Sequence, residues 1–255
     1  MEVKTKIELI IKAIRDRFSN RESISRDELF NLYKEYQPDI IEPTFAWNIY
    51  NLKKKKIIFP ISRGIYSLKA KPKFQPDVSD KMKRIFMSVK RKNLSDNLSI
   101  WDSSWLSEFM IHQPMKNVIT LETDADVLET VYYHIKDNEY KKVFMKPDEK
   151  QMEQYVMEEQ EPVILLPYVS RSPVKEYSKI IIPKLEKILV DLFLGFKLFY
   201  WVQGQELKNI FDEVHRRYQI NYTTLIAYAK RRGADKRLKE FIVHETDIPK
   251  DMFYD

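Results

Sequence analysis

The 255-residue sequence contains no cysteine and only four glycines. Without cysteine the chain forms no disulfide, no thiolate metal site and no cysteine nucleophile, and such a composition is typical of a reducing compartment. Glycine is scarce, and the patterns GxxxxGK[ST] and GxGxxG are absent, which leaves no glycine-rich loop to cradle a phosphate. The sequence therefore argues against nucleotide-binding enzymes of those two classes.

Long apolar runs are also missing. Lys4, Lys6 and Glu8 interrupt the N-terminal segment, which therefore lacks the apolar stretch of a signal peptide. No window approaches the roughly 18 apolar residues that a membrane span needs. The sequence predicts a soluble protein of the cytoplasm that has no membrane partner.

Positive charge is concentrated in the first part of the chain. Residues 1–75 contain 16 lysines and arginines against 9 acidic residues, whereas the remaining residues contain 28 against 29. A basic part joined to a near-neutral part suggests that one end of the chain binds a polyanion. The alternative for a lysine run such as 53–56 is a solvated helix end, where positive charge favours the helix dipole.

Residues 1–70 predict a winged helix-turn-helix domain. Apolar periodicity indicates helices near 2–18, 25–36 and 43–55, and Ser25 with Glu28 has the form of a capping box. Pro43 suits the first turn of the third helix, where its missing N–H group needs no partner. Two short apolar runs then flank the single glycine of a predicted β-hairpin, the wing.

The outward face of the third helix and the tip of the wing carry the candidate DNA contacts. Asparagine side chains bind adenine edges, threonine contacts phosphate or a thymine methyl, and lysine and arginine neutralise phosphates. An arginine at a wing tip also reaches the minor groove. The candidate DNA-binding residues are Thr44, Trp47, Asn48, Asn51, Lys54, Lys55 and Arg63. A winged helix also serves as a protein-interaction module, and in that alternative this face contacts no DNA.

The remainder of the chain predicts a linker at 71–80 and a small α/β domain at 81–255 with a helical C-terminal part. The overall fold class is therefore mixed α/β. Strands are expected near 82–90, 117–122, 142–145 and 162–169, the last as a central strand. Helices are expected near 99–110, 124–136 and 148–157, and four more between 184 and 243. Within 184–193 an apolar stripe faces the core, whereas Glu186, Lys187 and Asp191 are expected to face solvent or to cap neighbours.

Catalytic patterns are weak. The four histidines lie too far apart in sequence for a local zinc cluster, and none belongs to an HExxH motif. Glu122, Asp124 and Asp126, followed by the acidic and basic residues at 148–150, resemble the acids of a metal-dependent nuclease. Residues 148–150 also suit the start of a helix, where acidic side chains favour the dipole. We predict no enzyme, cofactor or metal, and keep a nuclease as the alternative.

Two segments resemble one protein family. TFAWNIYNLK at residues 44–53, followed by RGIYSL at 63–68, is similar to the N-terminal domain of AbiE-type antitoxins. PKLEKILVDLF at 183–193 is similar to their C-terminal domain, where a proline-opened helix reads PxxEKxLVDL. The resemblance implies a transcriptional regulator of a viral-defence locus. One end would repress its own operon, and the other would neutralise a nucleotidyltransferase-like toxin encoded beside it.

Overall fold

A computed structural model describes residues 2–114, 116–137, 140–195 and 198–253, and it shows a mixed α/β protein, as the sequence predicts. The elements pack around two hydrophobic cores. The buried residues of the smaller core lie between Ile10 and Tyr66, and those of the larger core between Phe74 and Met252. Within the described ranges, no helix combines the length and the apolar character that crossing a bilayer requires.

Three helices and a three-stranded sheet surround the smaller core. Their order along the chain is α1 (Glu2–Phe18), β1 (Ile24–Ser25), α2 (Arg26–Tyr36), α3 (Glu42–Lys54), β2 (Phe59–Ser62) and β3 (Ile65–Ser67). β3 lies between β1 and β2 and is antiparallel to both. The predicted capping box is present, since the Ser25 hydroxyl accepts from the Glu28 amide and Glu28 accepts from the Ser25 amide.

Residues 68–79 connect the two cores in an extended form, without helix or strand. Phe74 and Val78 are buried in the larger core. The backbone oxygen of Asp77 accepts a hydrogen bond from Trp105 Nε1 at 2.8 Å. The connection is thus packed against the structure that follows it, and the domain division at 71–80 stays a prediction.

The larger core contains a four-stranded sheet in the order β4-β5-β7-β6. β4 is antiparallel to β5, whereas β5 and β6 are each parallel to β7. The strand predicted at 162–169 is therefore central, as expected. The strands are β4 (Leu98–Asp102), β5 (Ile119–Thr123), β6 (Val143–Met145) and β7 (Val163–Pro167). The helices before and between them are α4 (Asp80–Arg91), α5 (Leu128–Asp137) and the short α6 (Glu149–Gln151). α6 continues as a π-helical turn.

A hairpin and four helices complete the chain. Their order is β8 (Val174–Tyr177), β9 (Ile180–Pro183), α7 (Leu185–Leu194), α8 (Gln205–Arg217), α9 (Tyr222–Arg231) and α10 (Asp235–Glu245). The four helices are those that the sequence predicts after residue 183. α7 contacts α8, α9 and β9, which places it at the centre of this half of the protein.

Two sequence predictions of secondary structure in the second half are wrong, and one hairpin was not predicted. Residues 82–90 form a helix, α4, rather than a strand. Residues 99–110 begin as strand β4 and continue as a 3-10 helix (Ser103–Phe109), rather than forming one helix. The hairpin β8–β9 was not predicted at all.

Candidate nucleic-acid interface

α3 has one buried and one exposed face. Phe45, Ile49 and Leu52 are buried in the smaller core, as the sequence predicts. On the other side, Thr44, Trp47, Lys54 and Lys55 are exposed, and Asn48 and Asn51 are half-buried. Trp47 is 61% exposed, so most of its ring is accessible to a partner. The helix therefore offers an aromatic ring, two amides and two cations to a partner.

Arg26, at the start of α2, fixes the N-terminal end of α3. Its guanidinium donates to both carboxylate oxygens of Glu42, at 2.8 and 2.7 Å, in a bidentate pair. It also lies over the ring of Phe45, 4.9 Å from the centroid. The hydrogen bond with Arg26 lowers the pKa of Glu42. Bidentate geometry restrains orientation as well as distance, so the two helices are held at a defined angle.

The wing, residues 59–67, is attached on two sides. The Arg26 amide donates to the Gly64 oxygen at 2.7 Å, and the Arg63 amide donates to Thr223 Oγ1 on α9 at 2.8 Å. Gly64 has a φ of +76°, a conformation that strains residues with a Cβ. The Arg63 side chain itself is exposed. The wing tip is therefore held in place while its cation stays accessible.

The lysine run 53–56, at the C-terminal end of α3, forms no ion pairs among the described residues. Lys53, Lys54, Lys55 and Lys56 are all exposed, and none of them pairs with a carboxylate in the part of the chain that the structure describes. Charges that no neighbouring acid neutralises are the ones that displace counterions from a nucleic acid. The run thus keeps the electrostatic character that the sequence suggests.

A basic cleft adjoins the wing tip. It has a volume of about 560 Å³, and Thr223, which binds the Arg63 amide, is one of its lining residues. Arg171, Lys184 and Arg231 contribute cations to its wall, and its lining contains no acidic residue. These three residues come from distant segments, so no local sequence signal joins them.

The structure separates the acids of the nuclease alternative. Glu122 is buried, whereas Asp126 is exposed. Asp124 accepts hydrogen bonds from the backbone amides of Asp96 and Asn97, at 3.1 and 3.0 Å, and so closes a loop. In the described ranges no three histidine, aspartate or glutamate side chains are grouped to hold a metal ion. Asp148 caps α6 and does not lie on a strand, which agrees with the helix-start interpretation.

The histidines have separate partners. His112 Nδ1 lies 2.7 Å from Glu206 Oε1, and His134 Nε2 lies 3.2 Å from the Ser88 oxygen. His215 lies between Tyr222 and Glu22, and it is described further below. Among the described residues, the histidines therefore do not meet at a shared metal site.

Lys187 of α7 is fully buried at the centre of an ion cluster. Its Nζ donates to Glu122 Oε1 at 2.6 Å and to Asp191, while Arg232 and Tyr228 donate to the other oxygen of Asp191. The expectation that Lys187 and Asp191 face solvent is therefore wrong. α7 is covered by the sheet and by α8 and α9, so its polar side chains meet inside the protein. Glu186 accepts a hydrogen bond from the Asn221 amide. It therefore caps a neighbouring segment, which is one of the two arrangements expected from the sequence.

The ion cluster has defined protonation preferences. Burial disfavours the charged form of Lys187, but Asp191 and Glu122 outweigh it and raise the pKa of the lysine. Burial raises the pKa of Glu122, and the nearby Lys187 opposes that rise. Lys187 thus stays protonated, and the cluster of two acids and two bases is close to neutral when all four are charged.

Comparison with known protein families identifies the family to which this chain belongs. Residues 44–248 match the model of a family of unknown function (DUF6577), and the chain belongs to that family. The matched region begins in α3, continues through the wing and ends after α10. No curated protein matches the sequence.

Proposed function

We propose that the protein is a cytoplasmic regulator of transcription that binds double-stranded DNA through α3 and the wing. The observation that carries the proposal is the exposed face of α3, where Trp47, Asn48 and Asn51 are followed by four unpaired lysines. An exposed helix of this kind fits the major groove, and a wing beside it reaches the flanking backbone. The role needs neither catalysis nor a cofactor.

The basic cleft beside the wing supports the same proposal. Contacts lead from Glu42 at the start of α3 to Arg26, from Arg26 to Gly64 and from Arg63 to Thr223. The cations of the cleft therefore lie beside the wing tip that carries Arg63. A basic surface attracts a polyanion and accelerates its association.

We further propose that the chain acts as an antitoxin. This part rests on the resemblance of 44–53 and 183–193 to AbiE-type antitoxins, and on the separation of the sequence into a basic and a near-neutral part. The second half would neutralise a nucleotidyltransferase-like toxin encoded by an adjacent gene. Finding such a gene beside this one, and rescue of growth on co-expression, is the expected result.

Base recognition by α3 tests the DNA-binding proposal. Asn48→Ala and Asn51→Ala are each expected to weaken binding to the DNA upstream of the protein's own gene by about 1–3 kcal/mol. Binding to random DNA of the same length should remain nearly unchanged, because the phosphate contacts are intact. Fluorescence anisotropy with labelled duplexes measures both. Asn93→Ala, an exposed asparagine at the end of α4, is the matched control.

A protein partner for α3 is the second candidate, and one observation favours it. Trp47 and Tyr50 on α3 and Ile41 just before it are 61%, 56% and 63% exposed, which is unusual for large apolar side chains so close together in sequence. Absence of binding to both duplexes at low salt would reject the DNA-binding proposal and leave this one. If both asparagine variants instead distinguish the upstream DNA from random DNA as well as the wild type does, α3 does not read the bases.

A further inference from the structure

A cleft of about 250 Å³ lies over the sheet of the larger core, beside the ion cluster. Thr120 and Glu122 of β5 and Leu166 and Pro167 of β7 line it. Glu122, Leu166 and Pro167 lie near the carboxyl ends of two parallel strands, and Thr120 lies near the start of β5. In open α/β sheets, ligands bind at the carboxyl ends of parallel strands. The position of the cleft is therefore that of a ligand site.

Three polar atoms on this face of the sheet have no partner. Ser99 is opposite Glu122 in the β4–β5 register, and Thr120 lies two residues before Glu122, so all three side chains share one face. Ser99 Oγ, Thr120 Oγ1 and Glu122 Oε2 are buried and lack a hydrogen-bond partner among the described residues. Buried polar groups are nearly always paired, so three unpaired ones on one face indicate an interaction that the chain alone does not provide.

The rest of the cleft combines Arg232, its ion-pair partner Asp191 and an aromatic wall. Arg232 is 30% exposed at its rim, and only Nη1 of its guanidinium bonds to protein atoms in the described ranges. Its remaining N–H groups match the geometry of a carboxylate. Trp101 and Phe199 form the wall, with ring centroids 5.4 Å apart. Such a wall favours a flat apolar body over a compact ion.

We propose that this cleft binds a small planar organic anion that carries one hydrogen-bond donor, of the hydroxylated aromatic carboxylate class. The carboxylate meets Arg232, the ring lies against Trp101 and Phe199, and the donor reaches Thr120 and Glu122. The cleft of about 250 Å³ has room for a single ring with two substituents. The site does not depend on DNA binding or on the antitoxin role.

Isothermal titration calorimetry of the full chain with 4-hydroxybenzoate tests the proposal. Benzoate lacks the donor and phenol lacks the anion, so each is expected to bind about tenfold more weakly than the complete probe. Equal affinity for all three would overturn the assigned contacts. Absence of binding by 4-hydroxybenzoate at millimolar concentration would overturn the ligand class.

Thr120→Val locates the binding at this cleft. The substitution keeps the shape of the side chain and removes a hydroxyl that has no protein partner, so the melting temperature should not fall. Affinity for 4-hydroxybenzoate should fall about tenfold. Thr130→Val, at an exposed position of α5, is the matched control and should change neither quantity. Unchanged affinity in Thr120→Val would place the probe elsewhere and refute the site.

Discussion

The positive charge of Lys187 lies in the middle of the larger core, where the carboxylates of Glu122 and Asp191 stabilise it. Replacing it by methionine leaves two carboxylates with Arg232 as their one remaining cation in the cluster. Removing one partner of a buried ion pair typically costs about 3–5 kcal/mol. We expect Lys187→Met to lose stability on that scale in urea-induced unfolding.

Two further variants decide whether charge is the cause. Lys184→Met, three residues earlier and exposed, should change the stability by no more than about 0.5 kcal/mol. Adding Glu122→Gln to Lys187→Met should recover part of the loss, because it removes one uncompensated charge. A double variant that is less stable than Lys187→Met would contradict this account.

His215 makes the junction of the two cores sensitive to acid. Its Nε2 lies 3.4 Å from Glu22 Oε2, and its Nδ1 lies 2.6 Å from the Tyr222 hydroxyl. Burial, and then the charge of Lys71, lower its pKa below the ordinary value of 6.5, although Glu22 and Asp212 oppose the shift. The unfolded chain therefore binds a proton more readily than the folded chain below pH 6.5.

It follows that protonation of His215 favours unfolding. Stability from the neutral imidazole is present above pH 6.5 and decreases as the pH falls below it. We expect the melting temperature to fall between pH 7 and pH 5, and to fall less steeply in His215→Gln. His244→Gln, an exposed histidine on α10, should keep the wild-type profile. Identical profiles for wild type and His215→Gln would exclude this histidine as the cause.

At the scale of elements, the wing and the end of α3 act together in the proposed interface. Lys54, Lys55 and Arg63 are exposed and lack ion pairs among the described residues. If each meets a phosphate, replacing all three by glutamine should reduce the slope of log affinity against log salt by about 0.9 per contact. Binding measured between about 50 and 200 mM salt gives this slope.

The matched control for that measurement has the same loss of charge. Arg91→Gln, Lys92→Gln and Lys150→Gln together remove three exposed cations far along the chain from α3. This triple variant should keep the slope of the wild type. A slope that changes equally in both triple variants would show that net charge matters and the position of the cations does not.

Local patterns predicted the three helices and the wing of the smaller core but not the short strand β1, and several elements of the larger core depend on distant contacts. Residues 82–90 read as a strand because Ile85, Met87 and Val89 alternate. In the structure Met82, Ile85, Phe86 and Val89 are buried, which is a helical spacing. Leu98–Asp102 is a strand because it pairs along its whole length with β5, which its own sequence does not reveal.

The hairpin β8–β9 shows a second limit of sequence patterns. Its turn is formed by Ser178 and Lys179, which have φ angles of +51° and +70°. Two-residue hairpin turns with positive φ usually contain asparagine or glycine. Neither occurs here, so the turn carried no signal. The exposure of the candidate DNA-binding residues on α3, in contrast, was predictable because it follows from the periodicity of one helix.

At the scale of the whole molecule, the two cores are joined by few polar contacts. The described contacts include the bonds of Arg63 to Thr223 and of His215 to Glu22. A fragment of residues 1–70 keeps its own core but loses these contacts. We expect it to bind DNA and to unfold at a lower temperature than the full chain, because small domains bury little surface. Circular dichroism and anisotropy test this.

The complementary fragment separates the two proposed roles. Residues 70–255 lack α3 and the wing but keep Phe74 and Val78, which are buried in the larger core, so this fragment should fold and should not bind the upstream DNA. In the antitoxin proposal, it should restore growth when it is co-expressed with the neighbouring toxin, whereas residues 1–70 should not. Rescue by residues 1–70 alone would reverse the assignment of roles.

α9 reaches both the wing and the ion cluster. Thr223 in its first turn accepts from the Arg63 amide, and Tyr228 near its end donates to Asp191. Ten residues of helix span about 15 Å, and a helix moves largely as a rigid rod over that length. We expect a molecule that displaces α9 at one end to alter affinity at the other. By thermodynamic linkage, such a coupling is equal in both directions. DNA bound at the wing would therefore change the affinity for a molecule bound in the second half by the same factor as that molecule changes the affinity for DNA.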